Sequence, residues 1–305
     1  MKTPLLAGLF LCLLALPCSA QLYGSLVGES KDYIVAEEQQ DLVSIAKEFN
    51  LAIEHLAFAN GLPESATKVS VGTPLTIPHA RILPKNPPKN GLVLNIPERG
   101  LYLFKNGKYD RFIPVSVGTP PKAKTLAGSF HIIERIKDPT WYPPSWADSP
   151  EPVGPGPNNP LGDRWIGISS PMVGIHGTND PLNVGASVTH GCIRCYPEDV
   201  RQLFEEVKVG LPVRIEYETA KLGKSASGEV FLATFPDIYD EQDPKETALK
   251  LLKKSGYGSL ANDKNFVFKL ELNLGTPLSL DKEKKRVLQE AQAASVGADS
   301  EPKEE

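Results

Sequence analysis

Two cysteines and two of the chain's five histidines crowd into one stretch, Met172 to Tyr196, which reads MVGIHGTNDPLNVGASVTHGCIRCY. A thiol attacks an amide carbonyl as its thiolate, so it needs a base within reach and a positive or dipolar setting. Cys192 is the candidate nucleophile, and His176 and His190 are the candidate bases. Gly191, directly before Cys192, lets the backbone approach a substrate closely and aim N–H groups at an oxyanion. This residue set is what acyl transfer requires.

Other chemistries fit less well. Zinc could take His176, His190, Cys192 and Cys195, but ligands at 190 and 192 with a thiol three residues on are not a usual framework. Cys192-Ile193-Arg194-Cys195 also reads as a redox CxxC, without the thioredoxin-like βαβ context. Ser-x-x-Lys starts at Ser44, Ser65, Ser279 and Ser300, yet neither Ser-Asp-Asn nor Lys-Thr-Gly accompanies it, and His-Glu-x-x-His is absent. No metal and no cofactor is expected.

The elements that must position this stretch follow from hydrophobic pattern and turn chemistry. Leu92 to Ile96 and Leu101 to Phe104 read as strands, and Asn106-Gly107 accepts the positive φ angles of a type I′ turn, so residues 109 to 117 return as the partner strand. After the motif, Pro197 suits a first helical turn, Val200, Leu203, Phe204 and Val207 make one face, and Gly210 is the stop. Pro212 to Tyr217 closes the unit as a strand. Upstream, His79 to Asn90 (HARILPKNPPKN) reads as a semi-rigid linker. Before it come a strand at Tyr33 to Val35, helices carrying Leu42, Ile45, Ala46, Phe49 and then Ile53, Leu56, Ala57, and a strand at Leu75 to Pro78, a βααβ order. Downstream, Val230 to Phe235 and Phe266 to Leu270 read as strands around a helix opened by the capping box Asp243-Pro244-Lys245-Glu246.

Composition sets the outer bounds. The 305 residues are 41% hydrophobic, which is enough for a packed core, and 28 Pro with 25 Gly make the chain loop-rich without low complexity. A net charge of -4 without a basic cluster argues against nucleic acid as a partner. Lys2, the apolar run Leu5 to Leu16 and Cys18-Ser19-Ala20 read as an export leader cleaved near Ala20, which would remove Cys12 and Cys18 and leave only Cys192 and Cys195.

The segments DYIV, LVSIAKEFNLAIEHLAFANGL and VGTPLTIP resemble a LysM module, which implies binding to glycans such as peptidoglycan; Glu38-Gln39-Gln40 stands where such modules usually carry Gly-Asp. Residues 91 to 216 resemble the L,D-transpeptidase catalytic domain. The resemblance is carried by His176-Gly177-Thr178, then Thr189-His190-Gly191-Cys192-Ile193-Arg194, with DPTWYPPSW, NPLGDRWIGI and YPEDVRQLF in support. Cys195 departs from the pattern, where an apolar residue is commoner. The implied fold is mainly β: an L,D-transpeptidase-like β-sandwich with a helix after the Cys motif. The expected division is a leader at 1–20, a LysM-like module at 30–79, a proline-rich linker at 80–90, the catalytic domain at 91–217, a small α+β appendage at 218–280 and a charged tail at 281–305.

The resemblance also implies roles. Cys192 attacks the third residue of a peptidoglycan stem peptide and expels terminal D-Ala through a thioester. His176 is the general base, oriented by the carbonyl of Gly177, and the N–H groups of Gly191 and Cys192 receive the oxyanion. His190 shapes the site. Arg194, Thr189, Trp141, Tyr142 and the neighbouring Trp146 are substrate-side residues, with Arg194 suited to a carboxylate. The acceptor is diaminopimelate, an outer-membrane lipoprotein lysine, or water, which would make the protein an L,D-carboxypeptidase. A non-catalytic, peptidoglycan-binding wall protein is the alternative from another class. The implied compartment is the periplasm. Cys195 is read as a redox partner that forms a reversible disulfide with Cys192, restored by a periplasmic thiol reductase, or else as a core residue.

Overall fold

A computed structural model describes residues 22–36, 40–63, 66–144 and 150–298. The leader at 1–20, Glu38-Gln39, Trp146 and residues 299–305 lie outside these. The largest unit is a nine-stranded sheet. Starting at Lys108–Gly118, hydrogen bonding passes to Ile193–Cys195, Gly174–His176, Arg164–Ile168, Gly128–Lys137, Pro212–Glu216, Gly91–Asn95 and Gly100–Lys105, then returns to Lys108–Gly118. The expected sandwich of two separate sheets is therefore a closed ring, with Ser187–Thr189 as an extra strand on Lys108–Gly118. Closure comes from the length of that one strand, which pairs with Gly100–Lys105 near its start and with Ile193–Cys195 near its end. A closed ring leaves few unpaired edges.

Leu92, Leu94, Leu101, Ile113, Val115, Ile175, Ile193 and Val213 fill the ring, and the helix Pro197–Glu206 covers it with Val200 and Leu203. Val93, Tyr102, Phe104 and Phe112 point the other way and are buried with Leu83 in a second cluster. These strands thus read as continuous apolar runs because both faces are covered. At the hairpin, Asn106 (φ 53°) and Gly107 (φ 77°) take the left-handed geometry that a type I′ turn needs.

Around the ring, several expected boundaries shift. The strand order Leu278–Ser279, Val230–Thr234, Ala220–Lys224, Gly24–Val27, Arg81–Ile82 forms a five-stranded sheet. The C-terminal unit is completed by residues far upstream, so it is not the contiguous 218–280 block. Arg81–Ile82 lies inside the expected linker, and the Arg214 guanidinium donates to the carbonyls of Lys85 and Asn86, both at 2.7 Å. The linker is a bound segment. Because Leu26 pairs with Ile82 and Val27 with Arg81, the βααβ unit is an insertion between two paired strands. Within that unit Lys31–Ile34 pairs with Pro74–Ile77, and helices Leu42–Glu48 and Ile53–Ala59 bury Leu42, Ile45, Leu56 and Ala57. It docks on the ring: Tyr196 OH donates to Leu51 O at 3.2 Å, and the His55 Nε2–H donates to Glu98 O at 2.9 Å.

Phe266 to Leu270 is helical, not a strand. Asp263 caps the helix Lys264–Glu271 by accepting the Phe266 N–H at 2.7 Å, and Phe266 and Leu270 are buried one turn apart while Phe268 faces solvent. The expected tail begins as a helix, Leu280–Ala298, seated by buried Leu280 and by Asp281, which accepts the Val230 N–H. Ring and C-terminal unit meet at a buried ion pair, Glu98 with Lys221 at 2.6 Å, where Glu98 also accepts Tyr102 OH at 2.5 Å.

Candidate active site

His176 and Cys192 are placed by two adjacent parallel strands. Ile175 pairs with Ile193, and His176 with Arg194. Side chains alternate along a strand, so His176, Arg194 and Cys192 share one face while Ile175, Ile193 and Cys195 share the other. The first face opens on a cleft of about 590 Å³ lined by Glu134, Trp141, Tyr142, Trp165, Met172, His176, Thr189, His190, Cys192 and Arg194 among others.

His176 is 5% exposed, and its Nδ1 lies 2.7 Å from the Gly177 carbonyl. A carbonyl only accepts, so Nδ1 carries the proton and Nε2 presents its lone pair. Burial pushes the imidazole down to about 4, overriding the raising effect of the Gly177 bond, with the Arg194 charge lowering it further. Burial also pushes the Cys192 thiol up, against the Gly174 N–H and Arg194, which favour thiolate. At neutral pH the imidazole is therefore uncharged and the thiol protonated. The S–H donates to Met172 O at 3.6 Å.

Thr189 is buried, and its hydroxyl donates to Cys192 O at 2.6 Å and accepts the Gly191 N–H at 3.3 Å. It braces the turn before Cys192 from inside and also lines the cleft. Gly191 takes φ +103°, a conformation that side chains rarely adopt. Arg194 is half-buried, its Nε has no hydrogen-bond partner, and among the described residues no carboxylate lies within ion-pair distance of it. Burial lowers its pKa, while the charge of Asp180 opposes that. It lines the cleft. His190 is exposed at the rim. Trp141 exchanges backbone hydrogen bonds with Val153 at 2.8 and 2.9 Å, and Tyr142 is exposed.

Cys195 is 0% exposed inside the ring's core. Strand parity turns its sulfur away from the cleft, and three extended residues span ~10 Å, beyond the ~7 Å limit between bridged Cα atoms. Both cysteines are free thiols. In this arrangement Cys195 is a core residue facing away from Cys192, which counts against the expected Cys192–Cys195 redox pair.

Three further residues lie within the quoted motifs but carry no role in the sequence reading. Trp165 stacks on His176 with ring centroids 5.9 Å apart, and its Nε1–H donates to Glu134 at 2.8 Å. Met172 occupies the third position of a turn closed by Val173 N–H to Ser170 O, with φ 59°, where Pro171 was the available signal. Asn159, wholly buried, ties the cleft loop by donating to Pro139 O at 2.7 Å.

Residues 89–215 match the YkuD family, described as the L,D-transpeptidase catalytic domain. A probable L,D-transpeptidase of Escherichia coli strain K12, YbiS, is 31% identical over 219 residues, which cover 68% of this chain and 70% of that protein. The chain belongs to the L,D-transpeptidase family. A second E. coli K12 relative, the probable L,D-transpeptidase YcfS, is 29% identical over 272 residues, 81% of this chain and 82% of that one. A solved L,D-transpeptidase from Mycobacterium smegmatis aligns with a TM-score of 0.35 at 19% identity, over 51% of this chain and 69% of its own. The matched segment of this chain contains His176, Cys192 and Arg194, and the five-stranded sheet is added outside it.

Proposed function

We propose that this protein transfers the acyl group of a peptidoglycan stem tetrapeptide to an amine through a thioester on Cys192. The carrying observation is the His176 Nδ1 contact with the Gly177 carbonyl, which leaves Nε2 as the ring's acceptor, in a cleft lined by both His176 and Cys192. Sγ bonds to the carbonyl carbon of the third stem residue as its proton passes to His176 Nε2. The C–N bond to terminal D-Ala then breaks, and the leaving amine takes that proton. An acceptor amine next attacks the thioester, passes its proton to His176, and the thiol is regenerated. The backbone N–H of Cys192 receives the oxyanion in both steps, the Gly191 N–H being held by Thr189 Oγ1, and Arg194 binds a substrate carboxylate.

The acceptor is an amine of a second stem peptide, giving a 3–3 cross-link, or a lysine of an outer-membrane lipoprotein. The βααβ insertion is a LysM-like module that holds wall glycan near the cleft. The leader sequence supports export to the periplasm. Purified enzyme incubated with tetrapeptide muropeptides tests this reading: intact mass should show an acyl-enzyme that has lost D-Ala, and muropeptide analysis identifies the acceptor. A wild-type enzyme that never carries the acyl mass would overturn it.

A further inference from the structure

The peptide unit joining Gly191 to Cys192 is held by hydrogen bonds that begin outside the ring. Thr125 Oγ1 donates to the Gly191 carbonyl at 3.0 Å and accepts the Gly118 N–H at 2.9 Å. Tyr239 OH accepts the Thr125 N–H at 3.0 Å and donates to the Gly118 carbonyl at 2.9 Å. Tyr239 follows the last residues of the strand Val230–Thr234, so it belongs to the C-terminal unit, yet it is buried in the ring's core. It is itself fixed. Its ring stacks on Tyr217 with centroids 5.5 Å apart, its N–H donates to Tyr217 OH at 2.8 Å, and Tyr217 OH donates to Asp237 at 2.5 Å. Lys124 adds a pair with Glu241 at 2.8 Å and a bond to the Tyr239 carbonyl at 3.2 Å.

A trans peptide is planar, with its C=O and N–H pointing in opposite directions. Fixing the Gly191 carbonyl on Thr125 therefore fixes the direction of the Cys192 N–H. That N–H is the donor assigned to the oxyanion, and such donors act through being aimed before charge develops. Resting on the acyl-transfer reading above, we infer that Tyr239 is a positioning residue for catalysis: the C-terminal unit aims the oxyanion donor of the nucleophile through Thr125.

Two reactions of the same thiol separate aiming from simple packing. Iodoacetamide alkylates sulfur at a saturated carbon and develops no oxyanion, whereas acylation by a tetrapeptide does. Tyr239→Phe keeps the ring and removes the hydroxyl. It should slow acylation roughly tenfold and leave alkylation within about twofold of wild type. Thr125→Val should do the same, and the double variant should be no slower than the worse single one, since both break one chain. Tyr257→Phe removes a comparable hydroxyl from the C-terminal unit, one that donates to Asp281 at 2.6 Å, and should leave both rates unchanged. Acylation at the wild-type rate in Tyr239→Phe, or equal loss of both rates, would overturn the inference. If Tyr239→Phe does not fold, Thr125→Val decides by the same two rates. A wild-type protein that alkylates but never acylates instead overturns the acyl-transfer reading itself.

Discussion

The imidazole of His176 lies almost parallel to the indole of Trp165, with planes 23° apart. The imidazole is thus held at its face by a ring and at its edge by the Gly177 carbonyl. Gly174 makes the stack fit, because a Cβ there would meet the Trp165 ring at 2.6 Å. Trp165→Ala should lower the acylation rate by about tenfold or more while the melting temperature changes little, and Trp165→Phe should recover most of it. Single-turnover mass kinetics would measure this. A wild-type rate in the alanine variant would show that the Gly177 bond alone suffices.

The pH profile follows from burial. With His176 pushed down to about 4, the imidazole is already an unprotonated base throughout the neutral range. The acid limb of kcat/KM, which reports the free enzyme, should therefore fall near pH 4 instead of near 6.5. A limb at pH 6 to 7 would mean a solvated imidazole and a different resting state.

The two cysteines should separate cleanly. Cys192→Ala should abolish the acyl-enzyme. Cys195→Ala should keep it and lose on the order of 1 kcal/mol of stability, from apolar volume removed inside the ring. Mild peroxide followed by non-reducing peptide mapping should find no Cys192–Cys195 link. Detection of that link would require the strand Ile193–Cys195 to leave the sheet.

The sequence exposed the cleft more readily than its supports, for a physical reason. Thr189 to Arg194 act within a few residues of each other, so their chemistry is written as a local motif. Trp165 reaches His176 across a ladder, and Tyr239 reaches Gly191 through Thr125; neither contact leaves a local mark. The five-stranded sheet was hidden because its strands at 24–27 and 81–82 lie on the far side of the ring in sequence. Phe266, Phe268 and Leu270 alternate like a strand, and only the Asp263 cap distinguishes the helix. Cys195 shows the same limit from another side: a spacing of three allows a disulfide across a turn and forbids it along a strand.

Asp199, at the start of the helix Pro197–Glu206, is buried with one carboxylate oxygen unpartnered. Burial, with Glu198 adding to it, pushes its pKa up to about 7 from 3.8. The fold keeps a proton that the unfolded chain releases, so this group's contribution to stability declines as pH rises from about 4 to 7. Asp199→Asn should raise the melting temperature at pH 8 and do so much less at pH 5. Equal shifts at both would place the charge elsewhere.

Replacing residues 29–79 by a short turn should preserve acylation of soluble tetrapeptide and weaken binding to intact sacculi, because the insertion leaves and re-enters at paired strands. Deleting everything before residue 80 should be worse, since it also removes Gly24–Val27 from the middle of its sheet. Acylation rates and sacculus pull-down of both truncations would check this. Equal activity would show the five-stranded sheet to be dispensable.

Glu98 and Lys221 bear on how the molecule comes apart. Each belongs to a different unit, each is almost fully shielded from water, and each is the other's neutralising charge. Leaving one such charge buried without its partner costs about 3–5 kcal/mol, a large part of a domain's roughly 5–15 kcal/mol of stability. Neither unit can loosen at this seam while the other stays intact. Heat should therefore meet one cooperative body, ring and five-stranded sheet melting in a single calorimetric transition, even though the chain builds them from interleaved segments.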